Sequence, residues 1–307
     1  MSYYCRAVLS RSGLGNLLFP WARSVIFSDR HQIPMLDTIW LNIRIGNFLR
    51  GERDKRGYGG LFYRHGIGGI KRWAIVATGT TRDGDASEAG LVATGPHYRN
   101  RPEIFDFSEC RSFFAPLQGC ESLVRTALWN MTRESYRPPL QREAFVAIHV
   151  RRGDFRATPA NTDLLLEHGH YKIPLDWYRN ALIELRRATG VTLPARVYSD
   201  GYAHEVESLL KMEKVEWAGD QSALFHLWEM SQASALIGTT SSTFSQWAVY
   251  LGQMPSIWHK GQRPRTLTLV GRSDEEGLFD FWREEKMPSP FATTVRARMS
   301  SGWPVRA

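Results

Sequence analysis

The chain has 307 residues, 43% of them hydrophobic, which is enough to bury a core and long enough for two domains. Its 39 Lys and Arg outnumber its 31 Asp and Glu, and the net charge of +8 suits an anionic partner: nucleic acid, anionic lipid or a phosphorylated small molecule. The basic residues form no dense run, which argues against nucleic acid, and Cys5, Cys110 and Cys120 are too few and irregular for a disulfide framework or zinc site.

With so few cysteines a reducing compartment is expected. The start, MSYYCRAVLSRSGLGN, lacks the long apolar run and cleavage site of a secretory signal. No window reaches 18 uninterrupted apolar residues. The expectation is a cytoplasmic protein, soluble or in peripheral contact with an anionic inner membrane, a contact the positive charge would suit.

In chain order, residues 3–10 read as a strand and 13–30 as a turn and amphipathic helix. Residues 31–37 read as a second strand. Residues 42–70 are rich in Gly and Arg and carry no clear assignment. KRWAIVATG (71–79) reads as a strand, 80–100 as loop and 116–135 as helix. The prolines of YRPPLQRE (136–143) mark a linker. The alternation then becomes regular: strands at 144–150, 195–200, 214–219, 235–240 and 255–260, with helices at 175–190, 203–212, 222–233 and 242–253. Such alternation implies a doubly wound parallel sheet. The expected fold class is α/β: two Rossmann-like domains, 1–140 and 141–280, facing across a cleft. A tail, 281–307, shows no clear periodicity and is expected to be partly disordered.

Ligands of open α/β sheets sit beyond the C-terminal ends of the strands, and three clusters fall there. In RSGLGN (11–16), Gly13 and Gly15 permit a tight turn and a close ligand approach; a plain turn is the alternative. In AFVAIHVRRGDF (144–155), side chains alternate across the strand, so His149 and Arg151 share a face and Arg152 points the other way. Arg151 is then placed to reach a phosphate, and Arg152 to pair with a neighbouring carboxylate. A purely structural ion-pair cluster is the alternative. In GTTSSTFSQWA (238–248), hydroxyl residues crowd the start of a helix, more than capping requires. Ser241, Ser242, Thr243 and Ser245 are therefore candidate phosphate ligands.

The pair Asp83 and Asp85 has a metal-binding spacing but lies in a turn-like segment, and a bland turn is the expected reading. The chain has no H-E-x-x-H, G-x-S-x-G or Walker pattern.

Together the three clusters resemble glycosyltransferase family 11, the α-1,2-fucosyltransferases, above all its bacterial members. SGLGNLLFPWA stands for the family's GGLGNQ element, with Ser12, Leu17 and Trp21 as departures. HVRRGDF stands for HIRRGDY. TSSTFSQWAVYL stands for ANSTFSWWAAYL, with Ser241 and Gln246 as departures, and VYSDG is similar to the family's FSDD strand end. Residues 40–135 show no match.

The resemblance implies a GT-B fold, GDP-fucose as donor, no metal and no other cofactor, and inversion at the anomeric carbon. It implies that Arg151 holds the donor β-phosphate, with His149 near the nucleotide. Ser241, Ser242 and Thr243 would contact phosphates or ribose, and Gly13, Gly15 and Asn16 would close the donor site from the first domain. Inversion needs a base for the acceptor hydroxyl. Asp154, Asp163 and Glu167 stay open as candidates, with Asp154 equally readable as an ion-pair partner. Asp220 and His226 are candidates for guanine recognition. The acceptor is expected to be a glycan, with a lipid-linked intermediate as one form. The alternatives are a transferase of another GDP-sugar and a non-catalytic protein that binds a nucleotide sugar or nucleic acid.

Overall fold

The structure, a computed structural model, describes residues 2–40, 57–87, 101–153, 155–157, 171–239, 241–259, 276–279 and 286–301. Contacts divide the chain into two compact units: Met1–Arg44 with Arg56–Tyr136, and Ile45–Lys55 with Arg137–Ala307.

In the first unit β1 (Tyr3–Val8) leads into α1 (Leu14–His31), and α2 (Gly69–Thr78), β2 (Thr80–Asp83), β3 (Glu103–Ser108) and α3 (Glu121–Met131) follow. The three strands are parallel in the order β1-β3-β2. The central β3 buries Ile104, Phe105 and Phe107, and the Phe27 ring of α1 sits 5.0 and 5.2 Å from the last two. Pro20 inside α1 has no N–H for the Asn16 carbonyl four residues back. The Cys110 thiol donates to that oxygen at 3.5 Å instead. All three cysteines are free thiols.

Three expectations are corrected here. Residues 31–37 show isolated bridges, Met35 to Cys5 and Leu36 to Ile67, rather than a strand. The strand expected at 71–79 is helix α2. WAIVA is a continuous apolar run, and such a run does not reveal its period. The segment expected as loop begins with β2, a short polar strand at the sheet edge.

The second unit holds β4 (Val146–Val150), α4 (Leu175–Thr189) and β5 (Ala195–Ser199), then a short helical passage (Ala203–Val206, Glu207–Leu210). It continues through β6 (Val215–Trp217), α5 (Ala223–Ser231), β7 (Ala235–Ile237), α6 (Thr243–Gly252), β8 (Ser256–His259), β9 (Glu276–Phe279) and α7 (Ser289–Ser301). Its described strands are all parallel, in the order β6-β5-β4-β7-β8-β9. The chain steps outward from β4 to β6, crosses back to lay β7 against the other side of β4, and steps outward again. This is the Rossmann order. Val146, Ile148 and Val150 on one side of β4 join Trp177, Leu182 and Leu185 of α4 in the core. Gly190 closes α4 at φ 72°, a conformation that favours glycine.

The segment expected as a partly disordered tail contains α7. Its Phe291, Ala292 and Val295 are buried, and Phe291 and Val295 join the core cluster that α4 builds. Burial of Phe291 and Val295 contributes roughly 1.5–3 kcal/mol each. Among the described residues, no helix is long and apolar enough to cross a membrane.

Candidate functional site

A doubly wound sheet opens a crevice where its strand order reverses, at the C-terminal ends of the two strands that part there. In the second unit these are β4 and β7. The segment after β4 begins with Arg151, and the segment after β7 is 238–243. Two of the three sequence clusters therefore meet at one place.

His149 is the link. Its ring is 3% exposed, and Nδ1 lies 2.6 Å from the Ser245 hydroxyl of α6. Burial, reinforced by the positive charge of Arg151, lowers its pKa from 6.5 to about 3. The imidazole is thus neutral at physiological pH and acts through hydrogen bonding rather than charge.

Arg151 is fixed by a residue that sequence reasoning passed over. Asp200, just past β5, places Oδ2 3.1 Å from Arg151 Nη1 and accepts the Arg152 backbone N–H on Oδ1 at 2.7 Å. The Arg151 guanidinium also lies 5.1 Å over the Phe155 ring. The carboxylate partner expected for Arg152 therefore belongs to Arg151. Among the described residues no carboxylate lies within ion-pair distance of Arg152, whose Nε is buried without a partner. The signal for Asp200 was its place, the end of the strand beside β4 in VYSDG. Gly153 makes room for this carboxylate: a Cβ there would stand 2.8 Å from Asp200 Oδ2.

Thr239 ties the two strand ends together. Its hydroxyl donates to the His149 carbonyl at 2.9 Å. It accepts the Arg151 N–H at 3.1 Å. The Tyr178 hydroxyl of α4 lies 2.7 Å away, and with the Thr239 proton already committed, Tyr178 is the donor. One oxygen thus makes three hydrogen bonds, its full capacity. Thr239 lies in the hydroxyl-rich segment 238–248, where nothing distinguishes it from its neighbours, and Tyr178 carries no motif.

Helix α6 completes the arrangement. Ser242 caps it, its hydroxyl accepting from the Ser245 N–H at 3.5 Å. Ser242 and Ser245 are buried, while Ser241 and Thr243 are half-buried at the helix start. The first-turn amides and the positive end of the helix dipole favour an anion beside Arg151. A Cβ on Gly238 would stand 2.4 Å from the Trp258 ring, so only glycine lets the segment after β7 pass this close to β8.

The other candidates belong to other segments of the chain. Gly13 caps α1 in the first unit and accepts from the N–H groups of Asn16 and Leu17, with open space where a Cβ would stand. Gly15 is buried in the first turn of α1. Asp220 is exposed past β6, two strands from β4, and accepts from the Trp217 indole at 3.3 Å. His226 is buried on α5, edge-on to the Tyr198 ring at 5.3 Å. Asp154, Asp163 and Glu167 lie outside the described residues.

Asp83 and Asp85 are held by arginines. Asp83 pairs with Arg111 at 2.5 Å, which holds its carboxyl below the usual range. Asp85 pairs at 2.5 Å with the buried Arg23, which also donates to the Ser108 and Glu109 carbonyls. Among the described residues, no cluster of three or more His, Cys, Asp or Glu has a metal-binding arrangement.

The second unit is thus a Rossmann-ordered α/β domain whose switch point carries an arginine, a neutral histidine and a hydroxyl-rich helix start. No family model matches the chain, and no curated protein matches it. Among solved structures the chain is similar to the fucosyltransferase NodZ from Bradyrhizobium, at 12% identity and a TM-score of 0.46, over 83% of this chain and 94% of that one. It is similar to the NodZ α-1,6-fucosyltransferase soaked with GDP-fucose, at 12% identity and a TM-score of 0.45, over 82% and 92%. It is also similar to POFUT1 in complex with GDP, at 12% identity and a TM-score of 0.46, over 84% and 98%.

Proposed function

We propose that the chain is an inverting, metal-independent glycosyltransferase of GT-B architecture. It would transfer L-fucose from GDP-β-L-fucose to a glycan hydroxyl, in α-1,2 linkage, in bacterial surface-glycan synthesis. The observation that carries this reading is the 2.6 Å contact between His149 and Ser245. It joins the two motifs most similar to the fucosyltransferase family at the switch point of a Rossmann-ordered sheet.

Departure of GDP leaves negative charge on its β-phosphate. Arg151, aimed by Asp200, and the first-turn amides of α6 would meet that charge with donors already in place. His149, neutral, would orient Ser245 and the nucleotide. Ser241, Ser242 and Thr243 would contact phosphate or ribose. Gly13, Gly15 and Asn16 would approach the donor from the first unit, and Asp220 would take part in guanine recognition. One of Asp154, Asp163 and Glu167 would accept the acceptor's proton. Engagement of Asp83 and Asp85 by Arg111 and Arg23 supports a reaction without a metal at that pair.

A second reading, another GDP-sugar as donor, is favoured by Gln246. It is buried in the first turns of α6, where the family carries a tryptophan, so the packing behind the site differs. The test is a hydrolysis screen of GDP-fucose, GDP-mannose and UDP-sugars with and without EDTA. Turnover of GDP-fucose that EDTA leaves intact is expected. Turnover of GDP-mannose alone selects the second reading. No turnover of any GDP-sugar, or full inhibition by EDTA, overturns both.

A further inference from the structure

Helix α2 is built the wrong way round for a helix of a closed globular protein. Ile70, Trp73, Ala74 and Ala77 stand at i, i+3, i+4 and i+7, the spacing of a core-facing stripe. All four are exposed, Ile70 at 89% and Trp73 at 62%, while the buried residue of the helix, Ile75, lies off the stripe. Exposed single hydrophobic residues are ordinary, but a complete apolar stripe turned to solvent marks an interaction surface.

The charge around the stripe indicates what it meets. From residue 57 to residue 79 the chain has Arg64, Lys71 and Arg72 and no Asp or Glu. Arg64, His65 and Lys71 are exposed. Arg72 donates to the Asp37 carbonyl at 2.9 Å, and its guanidinium lies 5.3 Å over the Trp73 ring. The carboxylate of Asp37 is itself engaged by the His65 N–H at 3.0 Å. An apolar stripe carrying a tryptophan, with Arg64, Lys71 and Arg72 outnumbering the nearby Asp37 carboxylate, is complementary to an anionic lipid surface, where indole and aliphatic groups enter the headgroup region and Lys and Arg meet phosphate. At ten residues α2 is far too short to span the roughly 30 Å hydrocarbon core, so it would lie in the plane of the surface.

We propose that α2 docks the protein on an anionic membrane surface through Ile70, Trp73, Ala74 and Ala77, with Lys71 and Arg64 pairing with lipid phosphates. This surface belongs to the first unit and stands whether or not the donor reading holds.

The experiment is co-sedimentation of the full chain with vesicles of phosphatidylcholine alone and of phosphatidylcholine mixed with phosphatidylglycerol. Binding to the mixed vesicles and not to the neutral ones is expected, and high salt should weaken it. Ile70→Ser or Trp73→Ser should weaken it about tenfold and Lys71→Ala about fivefold. Because these side chains touch solvent, the variants should unfold at the wild-type temperature. Failure of the wild type to bind the mixed vesicles overturns the proposal, as does equal binding by the Trp73→Ser variant. A concentration-dependent dimer that Trp73→Ser abolishes, without vesicle binding by the wild type, assigns the face to a second copy and also overturns it.

Discussion

Asp200 and Arg151 meet at 3.1 Å, and the same carboxylate accepts the Arg152 backbone N–H. One side chain therefore sets both the direction of the Arg151 guanidinium and the path of the chain behind it. Asp200→Asn keeps an acceptor for the N–H but loses the charge. Unfolding free energy should fall by about 1–3 kcal/mol in urea titrations, with a loss of turnover larger than that stability change explains. A variant as active as the wild type would show that the carboxylate does not aim the arginine.

Arg151→Lys should be nearly inactive. A lysine offers a point charge where a planar fork is needed, and loss of one well-placed donor to a developing anion costs about 10²–10³ in kcat. Steady-state hydrolysis of the donor measures this. Near-wild-type turnover refutes the phosphate role.

Thr239→Val should cost more stability than Tyr178→Phe. Removing the Tyr178 hydroxyl deletes one buried hydrogen bond, worth about 0.5–1.5 kcal/mol. Removing the Thr239 hydroxyl leaves the Arg151 N–H, the His149 carbonyl and the Tyr178 hydroxyl without this partner, at about 1–3 kcal/mol for each group that finds no substitute. Equal losses would mean that Thr239 is not the hub.

His149 makes stability depend on pH in one direction. Its pKa is 6.5 as a free side chain and about 3 in the fold. Above 6.5 both states are neutral and the stability is fully present. Between 6.5 and 3 the unfolded state binds the extra proton, so stability falls as pH falls, by up to about 1.4 kcal/mol per pH unit. His149→Gln should flatten this slope, read from urea midpoints across that window.

Arg23→Ala should destabilise the first unit by about 1–3 kcal/mol, because Arg23 is 3% exposed and its loss leaves two carbonyls without their donor and Asp85 with Arg111 alone, at 3.9 Å. Asp85→Asn should cost less. EDTA should leave the melting temperature unchanged, which differential scanning calorimetry checks.

The second unit was largely legible because its central strands β4, β7 and β8 are buried on both faces and its helices keep a 3.6-residue period. The separation of His149 from its neighbours on β4 followed from simple alternation: Val146, Ile148 and Val150 face α4, and His149 faces α6. The first unit was less legible. α2 carries a continuous apolar run that reveals no period, and of that run only Ile75 is buried. β2 is a polar edge strand with every residue exposed. Asp200, Thr239 and Tyr178 were missed because their roles exist only between residues 48 to 90 positions apart, and no local pattern encodes such a pairing.

The contact between His149 and Ser245 spans 96 residues of chain. Strand β4 must lie against β7 before it can form, so it depends on a pairing between segments far apart in the chain. The crevice is therefore acquired with the central pairing of the second unit and not with any local element. Ligand binding there would report that pairing rather than the presence of its parts.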